Sequence, residues 1–120
     1  MDKPTVVIGA SPNSERYSYK AVLSLQSHRQ TVYAVGIHKG NIAGTIIELN
    51  KPQIENVHTV TLYVGPQNQH FWIDYIYSLN PKRIIFNPGA ENKSFFSEAS
   101  LKGIECVEAC TLVMLSIGNF

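Results

Sequence analysis

Cysteine is nearly absent from this 120-residue chain. The two that occur, Cys106 and Cys110, have three residues between them, which matches neither a Cys-x-x-Cys redox pair nor a zinc site. Four histidines, His28, His38, His58 and His70, are scattered and lack any His-Glu-x-x-His spacing or carboxylate partner, so no metal site is expected. Charge is sparse as well: 16% of residues are charged, the net charge is +1, and no block of Lys or Arg occurs. That excludes the basic footprint of a nucleic-acid or membrane-surface protein, and any anionic ligand must be held locally. No apolar run approaches membrane-spanning length, and Met1 to Pro4 leads straight into a strand without a signal-peptide profile, so a cytoplasmic setting is expected. With 44% hydrophobic residues the chain is long enough for one core and too short for two ordinary domains. Residues 1–120 are therefore expected to form a single domain.

What is present begins at Thr5-Val6-Val7-Ile8-Gly9-Ala10-Ser11-Pro12. A β-branched apolar run breaks at Gly9 into turn-forming residues and resumes at helical spacing from about Ser18 to His28, which predicts strand, tight loop and helix. A helix that starts behind such a loop offers unpaired N–H groups and a positive dipole end to a phosphate. Ser14 and Ser18 are both suited to cap it. The loop is not the full dinucleotide fingerprint, since Ser11 and Ser14 stand where the later glycines would be, although a serine hydroxyl can bond a phosphate oxygen. Two readings of Gly9 stay open: it lets backbone approach a ligand, or it eases packing at an ordinary βα turn.

The second strand is predicted at Thr31 to Gly36, followed by a glycine-rich loop, Ile37 to Gly44, and a small β-like patch at Thr45 to Glu48. Dinucleotide enzymes place a carboxylate at the end of this strand to grip a ribose. Here His38 and Lys39 take that place, and a cation there suits a phosphorylated adenosine ribose; two solvated loop residues are the other reading. A third main strand, His58 to Val64, ends at Gly65-Pro66. The helix predicted from about Asn68 to Leu79 puts Trp72, Tyr75, Ile76 and Leu79 on one stripe, which reads as core. Phe71 and Tyr77 fall outside it and would suit a homodimer or partner face. Pro81 to Gly89 contains a fully apolar strand, as a doubly covered parallel sheet requires. A helix from Glu91 to Lys102 stopped by Gly103, a strand at Ile104 to Val107, and a short closing helix over Leu112 to Ile117 complete the chain.

The expected fold is α/β: one Rossmann-like three-layer domain with a mostly parallel five-stranded sheet in the order 2-1-3-4-5. Ligand should bind where the strand order reverses, against Ala10 to Arg16, His38-Lys39 and Gly65-Pro66.

Val7 to Tyr19, with Ile84-Ile85-Phe86-Asn87-Pro88-Gly89 and Glu108 to Leu115, resembles the small stand-alone CoA-binding proteins, relatives of the CoA-binding domain of succinyl-CoA ligase. The likeness covers nearly the whole chain. It implies that Gly9, Ala10, Ser11 and Pro12 line the phosphates of coenzyme A, with Arg16 and Tyr19 near the same loop. Where many members end the second strand in a Val-Asn-Pro-like sequence, this chain has Val35-Gly36-Ile37-His38-Lys39. Nothing matches the ligase's phosphohistidine, so the resemblance implies no ligase activity. It implies instead a binder of CoA or acyl-CoA that serves as sensor, carrier or partner subunit. A rival is an NADP-dependent reductase, disfavoured because little chain is left for a substrate domain and no acid or base for hydride transfer is evident. Thiol chemistry at Cys110, at the end of the last strand, is a further reading; burial as a small hydrophobe is the alternative for it and for Cys106.

Overall fold

A computed structural model describes every residue from Met1 to Phe120. Strands β1 (Thr5–Ala10), β2 (Val32–Gly36), β3 (Asn41–Ile42), β4 (Thr45–Glu48), β5 (Thr59–Leu62), β6 (Arg83–Phe86) and β7 (Glu105–Glu108) form one sheet. Four α-helices accompany them, α1 (Tyr17–Ser27), α2 (Ile73–Ser78), α3 (Lys93–Leu101) and α4 (Thr111–Ile117), with a 3-10 turn at Pro66–Phe71.

The sheet has seven strands rather than the five expected, in the order β3-β4-β2-β1-β5-β6-β7. The β-like patch at Thr45–Glu48 is the cause of the correction. As β4 it pairs parallel to β2, with Ala34 opposite Ile47, and β3 pairs antiparallel to β4 at the edge. Ile42 and Ile47 are buried there, and the Gln26 carboxamide on α1 donates to the Ile42 carbonyl at 3.2 Å and the Thr45 hydroxyl at 2.7 Å. The patch thus gains an apolar face and a tether, enough to extend the sheet. Every other strand pair is parallel.

Both faces of the sheet are covered, which is why β1 and β5 read as apolar and threonine runs and Ile84-Ile85-Phe86 of β6 as an apolar one. Val6, Ile8, Val60, Leu62, Ile84 and Phe86 pack beneath α2 and α3, while Val7, Ala10 and Ala34 pack beneath α1 and α4. From Val6 to Ile8 successive residues of β1 thereby enter opposite cores, as the two-residue strand period demands, and Ala10 joins the Val7 side because the register slips after Ile8.

The helix predicted from Asn68 to Leu79 is divided. Pro66 sets a 3-10 turn that ends at Phe71, Trp72 stands between the two at φ −117°, and α2 starts only at Ile73. Trp72, Tyr75, Ile76 and Leu79 are nevertheless all buried. α3 starts at Lys93, two residues later than expected, because the Asn92 side chain accepts from the Phe95 N–H at 3.1 Å and caps it. Gly103 follows its end at φ +87°. Neither Ser14 nor Ser18 caps α1: Arg16 takes that position without a side-chain bond, and Ser18 is buried within the first turn.

Candidate functional site

The turn after β1 is shaped by backbone. Gly9 adopts φ +91° and the register against β2 slips between Ile8 and Ala10. A Cβ at Gly9 would lie 2.9 Å from the Tyr63 carbonyl oxygen and 3.0 Å from a Val64 methyl, so glycine is demanded by conformation and by the neighbouring strand alike. Beyond it the loop folds on itself: the Ser11 hydroxyl accepts from the Asn13 N–H at 3.1 Å, and the Asn13 carboxamide oxygen accepts from the Glu15 N–H at 2.9 Å. α1 then begins uncapped, so its first-turn N–H groups have no side-chain acceptor.

These residues form one wall of a cleft of about 870 Å³. Gly9, Ala10, Ser11, Arg16 and Ser18 come from the turn between β1 and α1 and the start of that helix; Gly65, Asn68, Phe71 and Trp72 from the segment after β5; Ile37, His38, Leu49 and Lys51 from the chain leaving β2 and β4. The charge is of one sign. Arg16 and Lys51 line the cleft and no carboxylate does, in a chain whose ten Lys and Arg face nine Asp and Glu; the His38 imidazole adds a ring that can hydrogen-bond. Four of the large apolar side chains that remain exposed, Tyr17, Ile37, Leu49 and Phe71, stand at its mouth. Such a concentration of cations, aromatic faces and free backbone donors suits an anionic ligand with an apolar body.

Lys51 is the least expected of these residues. It has φ +48°, its ammonium donates to the Phe71 carbonyl at 2.5 Å, and it sits 4.7 Å from the centroid of the Trp72 ring. The segment around it is fastened to α2, where the Tyr75 hydroxyl donates to the Pro52 carbonyl at 2.6 Å and the Gln53 amide to the Ser78 carbonyl at 3.2 Å.

Of the ten residues expected at the site, Gly9, Ala10, Ser11, Arg16, His38 and Gly65 line the cleft. The remaining four lie outside its lining. Pro12 packs on Gly40, where a Cβ would come within 2.6 Å of the proline ring. Tyr19 leans on the core beneath α1, Lys39 is exposed, and Pro66 opens the 3-10 turn. Tyr77 donates to Glu98 at 2.6 Å and packs edge-on against Phe95, so it joins α2 to α3. Cys110 occupies the N-cap position of α4, outside the cleft lining, and burial raises the Cys106 thiol above its ordinary range.

A buried polar junction lies next in the chain to Tyr63 and Pro88 of the cleft lining. The Asn87 amide donates to the Thr61 hydroxyl at 2.7 Å and the Leu62 carbonyl at 3.0 Å, while its oxygen accepts from the Thr111 N–H at 2.9 Å. Three elements, β5, β6 and α4, are joined by one side chain. Beside it the Tyr63 hydroxyl is buried, and that burial pushes its pKa up to about 12. No group of three or more His, Cys, Asp or Glu side chains gathers anywhere, and no helix is long and apolar enough to cross a membrane.

The family described as CoA binding domain matches residues 3–116. This chain belongs to that family. Among curated proteins nothing matches. Among solved structures, the CoA-binding-domain chain is similar to a protein described as uncharacterized at 49% identity and TM-score 0.97, covering 100% of this chain and 99% of that one. It is similar in fold to a hypothetical protein from Pyrococcus horikoshii OT3, with 20% identity, TM-score 0.82, and 94% and 81% of the two chains covered. A protein from Thermus thermophilus gives 18% identity and TM-score 0.85 over 98% and 90%.

Proposed function

We propose that residues 1–120 act as a single CoA-binding Rossmann-like domain whose cleft takes coenzyme A, free or as an acyl thioester, and that the protein serves as a sensor, carrier or partner subunit. The observation that carries this reading is the one-signed cleft: Arg16 and Lys51 without a carboxylate, at the carboxyl edge of a parallel sheet, in a chain of the CoA-binding family. CoA bears a pyrophosphate and a separate ribose phosphate, and cations stand at two places in the cleft. The pyrophosphate fits the Gly9-Ala10-Ser11 turn, where the uncapped start of α1 and Arg16 supply donors. The pantetheine arm has apolar walls to lie on.

Native mass spectrometry of freshly purified protein tests for retained ligand and counts subunits together. With CoA at 100 times its dissociation constant the folded state gains about 2.7 kcal/mol, and the melting temperature should rise by roughly 10 °C for a chain of this size. NAD should shift it scarcely at all. An equal shift with NADP would move the reading to the reductase, and no shift with CoA would sink it.

A further inference from the structure

The sheet has a strand end at its carboxyl edge that a five-strand arrangement lacks, and that strand end delivers a cation. β4 lies parallel to β2, with Val35 opposite Glu48, so the chain leaving β4 emerges beside the chain leaving β2. Leu49 and Lys51 thereby join Ile37 and His38 in the cleft lining. In doubly wound sheets the end of this second strand is where an adenosine ribose is held. A carboxylate there suits free ribose hydroxyls, whereas a fixed cation suits a phosphorylated ribose.

Lys51 is fixed in a way that a solvated lysine is not. Pro52 follows it, the Tyr75 hydroxyl holds the Pro52 carbonyl, and the ammonium is seated between the Phe71 carbonyl and the Trp72 ring. An ammonium has three N–H donors, so one bond to a carbonyl leaves others for an anion. Next to it the Phe71 ring packs on the His70 ring at 4.0 Å between centroids and is still 63% exposed, an aromatic surface on which a base can stack. Lys39, the sequence neighbour of His38, lies outside the lining.

We propose that Lys51, together with His38, holds the ribose phosphate of the CoA adenosine, with the base on the Phe71 ring, so that Lys51 is the residue by which the cleft distinguishes CoA from dephospho-CoA. This rests on the CoA reading of the cleft. A merely structural Lys51 would brace Trp72 and leave that distinction unchanged.

Calorimetric affinities for CoA and dephospho-CoA, measured on the unaltered protein and on Lys51→Met, Lys51→Arg and Lys39→Ala, separate the two. Methionine keeps an unbranched apolar stem over Trp72 and removes the charge. The unaltered protein should prefer CoA by about tenfold, the scale of one charge-assisted hydrogen bond. Lys51→Met should weaken CoA alone and bring the ratio near one, and Lys51→Arg should keep the preference. Equal weakening of both ligands by Lys51→Met, or a preference erased by Lys39→Ala and kept by Lys51→Met, overturns the assignment. If the unaltered protein binds both equally, CoA binding stands and the role of Lys51 falls; if it binds neither, the CoA reading falls with it.

Discussion

Two turns flank the cleft, and they are built on opposite principles. The turn from β1 into α1 is a backbone device: a left-handed glycine, a slipped register and an uncapped helix. The turn from β5 into the 3-10 segment is a side-chain device. Its fully buried Gln69 donates to the Val64 carbonyl at 2.9 Å and the Ala90 carbonyl at 2.7 Å, and accepts from Asn92 at 2.9 Å. In the first turn the N–H groups that open α1 have no side-chain acceptor; in the second the Gln69 carboxamide is fully engaged by the fold. Both look alike in sequence, a strand followed by glycine and proline or serine. Only the distribution of unpaired donors tells a cradle from a brace.

The sharpest way to break this contrast is Gly9→Val. Positive φ strain and overlap with the Tyr63 carbonyl together should cost roughly 4 kcal/mol of stability in denaturant unfolding, so the variant should fail as a fold before it fails as a binder. A midpoint within experimental error of the unaltered protein would show that β5 yields there. Gln69→Leu attacks the other turn: it strips the buried Ala90 carbonyl, the part-buried Val64 carbonyl and the Asn92 amide of a partner and should cost roughly 3 kcal/mol. The melting temperature should then fall by about 12 °C, while the folded fraction still binds CoA. Binding lost at full stability would make Gln69 a ligand residue instead.

Arg16→Ala sharpens the comparison from the binding side. Its side chain makes no cap, so stability should stay within about 0.5 kcal/mol, and CoA affinity should drop by roughly fivefold to tenfold. The smallest effect lies at the far end of β5 and serves as a control. Burial, with Arg83, Lys3 and Lys82 adding to it, holds the His58 imidazole below its ordinary 6.5. The unfolded chain thus binds a proton that the folded chain resists, so stability is at its full value above 6.5 and declines as pH falls below it. Melting curves between about pH 7.5 and 5.5 should show a shallow decline that His58→Gln reduces; an unchanged slope would assign the decline elsewhere.

The residues that could be read in advance are those whose surroundings are set by their own segment. Val6, Val7 and Ile8 announce a doubly covered strand, and Trp72, Tyr75, Ile76 and Leu79 share a face whether or not the helix is continuous. β4 was harder to see as part of the sheet because it is short and half exposed, with Ile46 facing solvent and Ile47 the core. His38 and Lys39 illustrate the limit at the site: they adjoin in sequence where the chain bends after β2, yet only His38 lines the cleft. Lys51 carries no local signal at all. Its place depends on Phe71 and Trp72, some twenty residues onward, and on a strand pairing that composition does not disclose.

Trp72 is the chain's one tryptophan, 6% exposed, in the cleft wall beneath the Lys51 ammonium. Indole emission responds to nearby charge and to water, so the protein carries its own optical probe at the place where a ligand would dock. Occupancy of the cleft is therefore readable as a change in intrinsic fluorescence, without a label, and every titration described above has an independent spectroscopic channel in the unaltered chain.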